Sequence, residues 1–159
     1  MNEKEMLLNA KEREYQTTLK VLKAFPGDKL DFKPHEKSKS ARELAFNFAQ
    51  EERVNTDALK GKIDFSVYSE KSPEAMDEIV ALLEKNHKAS MDAIKAASDE
   101  QTGQMVEFAG MQVRAMDVFW FMMMDSIHHR GQFSVYIRLA GGLVPSIYGP
   151  SADEPWDSK

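Results

Sequence analysis

Apolar residues recur at spacings of three and four along four stretches of this 159-residue chain, each bounded by proline, glycine or a capping residue. Leu8, Tyr15, Leu19 and Leu22 share a stripe of a first helix over 3–25, which Pro26 and Gly27 stop. Ser40 can cap a second helix over 41–60, with Glu43 three residues on to complete a capping box and Gly61 to end it. Ser72 and Pro73 predict the start of a third helix, striped by Met76, Val80, Leu83, His87, Met91 and Ile94. From Arg114 to Ala140 a fourth helix aligns Val118, Met122, Asp125, His129, Gln132 and Tyr136, and Gly141 and Gly142 close it. Between the last two helices the period fails, and the alternation about Gly110 suits either a short hairpin or an irregular crossing. Residues 143–159, rich in proline, glycine and serine, read as an extended tail. Four long amphipathic helices without a substantial sheet predict an all-α four-helix bundle, with 1–159 as one domain.

A net charge of -5 argues against a phosphate-backbone partner, so nucleic acid is not expected. No cysteine is present, which excludes disulfides, thiolate metal sites and a cysteine nucleophile. Any thiol chemistry needs a thiol from outside. The first residues are charged and lack an apolar leader, and the longest apolar run, Val118 to Met124, is far too short to span a bilayer. A cytoplasmic protein without a membrane partner is expected. The run "FWFMMM" is apolar around most of the fourth helix, which places that helix centrally or against a second subunit and favours a homodimer. The ten methionines fit adaptable core filling or such an interface.

The segment "DSIHHRGQF", 125–133, sets polar groups into that apolar helix. Asp125 and His129 lie four residues apart and therefore on one face, the face that Val118, Met122 and Tyr136 make apolar. A carboxylate buried there must be paired, protonated or bound to a cation. Imidazole with carboxylate is the start of a divalent metal site, but two ligands do not complete one. The second helix offers Asn47 and Glu51, again four apart, and either can approach such a metal. His87 on the third stripe suits a core position better than a ligand. His128, about 100° round the helix from His129, is expected at a loop or the surface. The same spacing equally suits a hydrogen-bonded Asp125–His129 pair that holds no ligand.

Taken together, "SARELAFNFAQEE", "HHRGQFSVYIRLAG", "LDFKPHEKSKSA" and "VPSIYGPSADE" resemble the DinB family over most of the chain. The resemblance implies an up-down-down-up four-helix bundle with long crossover connections, commonly dimeric. It also implies a nickel, zinc or similar ion on three histidines, one in an E-L-x-x-H segment and two in H-x-x-x-H before R-G-Q. Those positions fall on Asn47, Asp125 and His129, so this chain keeps one imidazole of three. Asn47 can give a carbonyl oxygen and Asp125 a carboxylate, a harder set that holds borderline metals less tightly.

The family includes thiol-dependent transferases, which use low-molecular-weight thiols, and metal-dependent hydrolases. One reading is therefore a divalent-metal-dependent enzyme with an altered site, acting on a small-molecule substrate. A second is a metal-free small-ligand-binding or stress-related protein in which the same three residues form a hydrogen-bonded pocket. A third is a structural dimer module whose core polar residues fix register.

Overall fold

The computed structural model describes residues 1–156, and the last three residues of the predicted tail lie outside them. Four long helices run over Glu3–Lys23 (α1), Ala41–Leu59 (α2), Met76–Ala96 (α3) and Ala115–Leu139 (α5). A five-residue helix, Asp99–Gly103 (α4), and a hairpin of Met105–Phe108 (β1) with Met111–Arg114 (β2) join α3 to α5. Among the described residues no helix is long and apolar enough to cross a membrane.

The helix ends follow the local chemistry of the sequence. Asn2 and Ser40 accept the backbone N–H groups of Glu5 and Glu43, whose carboxylates return the bond, forming capping boxes for α1 and α2. Helix α3 starts later than the Ser72–Pro73 pair predicts, because the Glu78 carboxylate accepts the N–H of Ala75 at 3.2 Å and sets the first turn there. The alternation about Gly110 is a hairpin. Its two turn residues, Ala109 and Gly110, both take positive φ, 50° and 81°, which twists the turn to match the strands.

The apolar core falls into two clusters at opposite ends of the bundle. One joins Leu19–Phe25 of α1 and the segment after it, the first half of α2, the first half of α3 and the last part of α5. The other joins Leu7, Val54, Ala58, Ile94, Val118, Phe119 and Met122. Helices α1 and α5 thus run one way and α2 and α3 the other, an up-down-down-up four-helix bundle. Helix α2 packs against α3 and α5, and α1 packs against the same two helices from the opposite corner.

A polar belt separates the two clusters. Lys11, Glu51, Glu52, Asn55, His87 and Arg130 are all buried within it. One edge of α5 departs from inward packing: Phe121, Met124, Val135 and Leu139 stay 38–57% exposed. Past α5, Gly142 crosses the end of α1 so closely that a Cβ would lie 2.9 Å from both Ile137 and Pro26. The tail then returns along the bundle. Arg130, 1% exposed, donates to the Glu14 carbonyl at 3.0 Å and to the Tyr148 hydroxyl, pinning residues beyond 143 to α1.

Candidate metal centre

The centre lies where the polar belt meets the groove between α2 and α5. Helix α2 is buried on nearly every side, so its register decides where each polar group faces. Glu51 turns toward α5. Its Oε1 is 2.6 Å from His129 Nδ1, and Asp125 Oδ2 is 3.8 Å from the same nitrogen. One ligand atom each from Glu51, Asp125 and His129 lie within 4.8 Å of one another.

Burial differs across the three. Glu51 is 2% exposed and the Asp125 side chain is 43% exposed, so one carboxylate anchors the cluster from inside and the other closes it at the rim. Asp125 and His129 do face α2, as their spacing predicts, although Asp125 is less enclosed than a core position. Gln132, on the same predicted stripe, is exposed.

Burial pushes the Glu51 carboxyl up to about 7, against the lowering effect of the His129 hydrogen bond. Burial also disfavours the charged imidazole, but the hydrogen bond and charge of Glu51, with the charge of Asp125, outweigh it and raise His129. Both directions describe one proton held between two groups. Among the described residues Glu51 Oε2 has no hydrogen-bond partner although it is buried, and a buried acceptor left bare is costly unless something is supplied to it. Two carboxylates and an imidazole, one with an unsatisfied oxygen, fit a divalent ion that takes the place of the shared proton.

Asn47 sits one turn before Glu51 on α2, buried, with its Oδ1 accepting from Lys39 Nζ at 2.7 Å. A metal reaching that oxygen would have to displace the ammonium. Glu51, whose role the sequence left open beside Asn47, is the α2 carboxylate in the cluster; the spacing of Asn47 and Glu51 was its only signal. His128 is exposed and contacts Gln132.

His87 belongs elsewhere. Its Nδ1 is 2.8 Å from Glu52 Oε1 and its Nε2 3.2 Å from Glu12 Oε2, while its ring stacks on Tyr15 at 3.7 Å between centroids. Lys11 donates to both oxygens of Glu52 at 3.1 and 3.0 Å, and Asn55 donates to Oε2 at 3.1 Å. Burial alone would raise Glu52; the Lys11 charge and the His87 hydrogen bond reverse this and hold it at about 2. Adjacent residues of α2 therefore serve separate clusters. Glu51 faces α5, and Glu52 faces α1 and α3.

Over the centre lies the segment after α2. Gln50 donates to the Val67 carbonyl at 2.6 Å, and Arg53 pairs with Glu70 at 2.6 Å, holding the short turn Phe65–Ser69 in place. Tyr68 in that turn keeps its proton well above neutrality, because it is partly buried and because Glu51 and Asp125 carry negative charge nearby.

An up-down-down-up bundle carrying a carboxylate–imidazole cluster between its second and last long helices is a helical protein with a candidate metal site in its interior. The chain belongs to the DinB family, whose model matches residues 1–157. A DinB-like protein from Bacillus cereus ATCC 10987 superposes with a TM-score of 0.79 at 21% identity, covering 91% of this chain and 97% of that one. YfiT from Bacillus subtilis, described as a probable metal-dependent hydrolase with an unusual four-helix bundle topology, superposes with a TM-score of 0.70 at 14% identity, covering 87% of each chain. At these identities the likeness shows the fold. In sequence, the uncharacterized protein YrdA of Bacillus subtilis (strain 168) is 35% identical over 72 residues. That match spans 43% of this chain and 43% of YrdA, less than half of either.

Proposed function

We propose that this protein is a divalent-metal-dependent hydrolase of small molecules, with its ion held by Glu51, Asp125 and His129. The observation that carries the reading is the convergence of three ligand atoms within 4.8 Å from two helices far apart in sequence. Hydrolysis is favoured over thiol transfer by the donors. Two carboxylates and one imidazole form a hard, oxygen-rich set suited to manganese or zinc with water, whereas a thiolate prefers softer company.

An ion in this place supplies Lewis acidity to a substrate oxygen and to a water. The chain's own groups do the rest. Glu51, walled in by α5, hydrogen-bonds His129 Nδ1 in the ion-free chain and so presets the orientation of the ring. Asp125 at the rim stays open to an incoming molecule. Tyr68 remains a neutral hydroxyl and can donate a hydrogen bond, not abstract a proton. Phe48, Met122 and Met123 line the inner side of Glu51 together with the polar groups of the belt.

The reading is tested by titrating untagged protein with manganese and zinc in a calorimeter across pH. One equivalent should bind, and the shared proton must leave as it does. Affinity is therefore expected to fall about tenfold between pH 8 and pH 6, with proton release visible as a buffer-dependent heat. Constant affinity over that range would show that the Glu51–His129 pair is not where the ion enters.

One observation favours a second reading. Glu51 Oε1 with His129, and Asn47 Oδ1 with Lys39, are already hydrogen-bonded without an ion. In that case the centre is a metal-free pocket for a small ligand, and neither metal binds even at pH 8.

A further inference from the structure

Beside His129 a cleft of about 500 Å³ opens between α5 and the start of α2, lined by Lys39, Leu44, Asn47, Gln132 and Tyr136. We propose that this cleft takes a small molecule by its carboxylate, gripped by the Lys39 ammonium and the Asn47 amide. What happens at the molecule's other end rests on the metal-site reading above.

The grip follows from hydrogen-bond chemistry. An ammonium can only donate, so the Asn47 atom 2.7 Å from Lys39 Nζ is the amide oxygen, and the Nδ2 donors stay free for another partner. Among the described residues Nδ2 meets no acceptor and Lys39 makes no ion pair, its nearest acidic influence being Glu43, which pairs with Lys33. Both side chains line the same cleft and keep donor capacity to spare, which matches the two oxygens of a carboxylate. Although Lys39 is at the surface, its ammonium has a defined place. The Tyr136 hydroxyl donates to the Lys39 carbonyl at 3.0 Å, and the next residue, Ser40, caps α2.

Charge and spacing point the same way. The carboxylates of Glu51 and Asp125 would neutralise a divalent ion, so the centre itself has little pull on an anion. Lys39 provides it. Asn47 is four residues before Glu51, about 6 Å along the helix. A molecule held at one position and reacting at the other has its carboxylate a few bonds from the reacting atom. A phosphate dianion fits less well, because it needs more donors than Lys39 and Asn47 offer.

The test uses the full chain, metal-free and labelled with nitrogen-15, and follows the Asn47 side-chain amide by NMR. Propionate, its neutral isostere propionamide, and inorganic phosphate are added in turn. Propionate should shift the Asn47 signals at millimolar concentration, propionamide should not, and Lys39→Met should weaken the propionate response about tenfold. Being an exposed residue, Lys39 is replaceable without loss of the fold. An equal response to propionamide, unchanged propionate affinity in Lys39→Met, tighter binding of phosphate, or no response would each overturn the proposal. Manganese titrations of both proteins run in parallel. Absence of manganese binding in both would count against the hydrolase reading, while the carboxylate response is read without metal and stands separately.

Discussion

Replacing Glu52 by glutamine is expected to lower the unfolding free energy at neutral pH by about 3 kcal/mol, the scale on which a buried ion pair that loses one partner fails. Lys11, 5% exposed, would keep a charge that nothing in the core neutralises. In a protein of this size such a loss moves the thermal midpoint down by roughly 10 °C. The same group should appear in the acid limb. Its carboxyl is held at about 2 in the folded chain against an ordinary 4.5, so its stabilisation is complete above 4.5 and disappears as pH falls toward 2. Urea unfolding of both proteins across that range checks this: the difference between them should shrink as pH falls. A constant difference down to pH 2 would mean that Glu52 matters for its shape and not for its charge. The double variant Lys11→Met with Glu52→Leu should recover part of the loss, since removing both charges leaves neither stranded.

The other large effect concerns His129. Its replacement by alanine is expected to weaken manganese or zinc binding by at least about a hundredfold, beyond what loss of an outer hydrogen-bond partner usually produces, and to remove hydrolysis with it. The metal-free variant should stay folded. Without the imidazole, Glu51 loses the group that lowers it and keeps its proton, so no bare carboxylate is left in the interior. Circular dichroism and calorimetry on the same sample separate the two consequences. Full-strength metal binding by a folded His129→Ala protein would place the ion elsewhere.

The bundle and its helix ends were legible because they depend on local chemistry. Periodicity gave the four helices, and Ser40 with Glu43 marked a helix start that the structure keeps. Ser72 and Pro73 misplaced the start of α3, since the carboxylate that sets the first turn comes later, at Glu78. The five-residue helix α4 went unnoticed because one turn offers no stripe to read. Asp125 and His129 stood out as polar groups on an apolar face, which spacing within a single helix reveals. Which α2 group meets them depends on the rotation of one helix against another. Asn47 and Glu51 share a face, so spacing could not separate them, and Lys39, from the connection before α2, takes the Asn47 oxygen. Arg130 escaped notice for a similar reason. Its partners, Glu14 and Tyr148, lie on α1 and the tail, 116 and 18 residues away.

Glu51 and Glu52 are neighbours in sequence, yet they look out about 100° apart on the same rod, each toward different helices. A single residue inserted between Asn47 and Glu51 would turn everything after it by 100°, swinging both carboxylates away from their partners in one stroke. The same insertion at 61–64, ahead of the turn over the centre, would lengthen a connection and leave both clusters as they are. The middle of α2 thus admits no change of length, and the chain's freedom to grow lies in its connections.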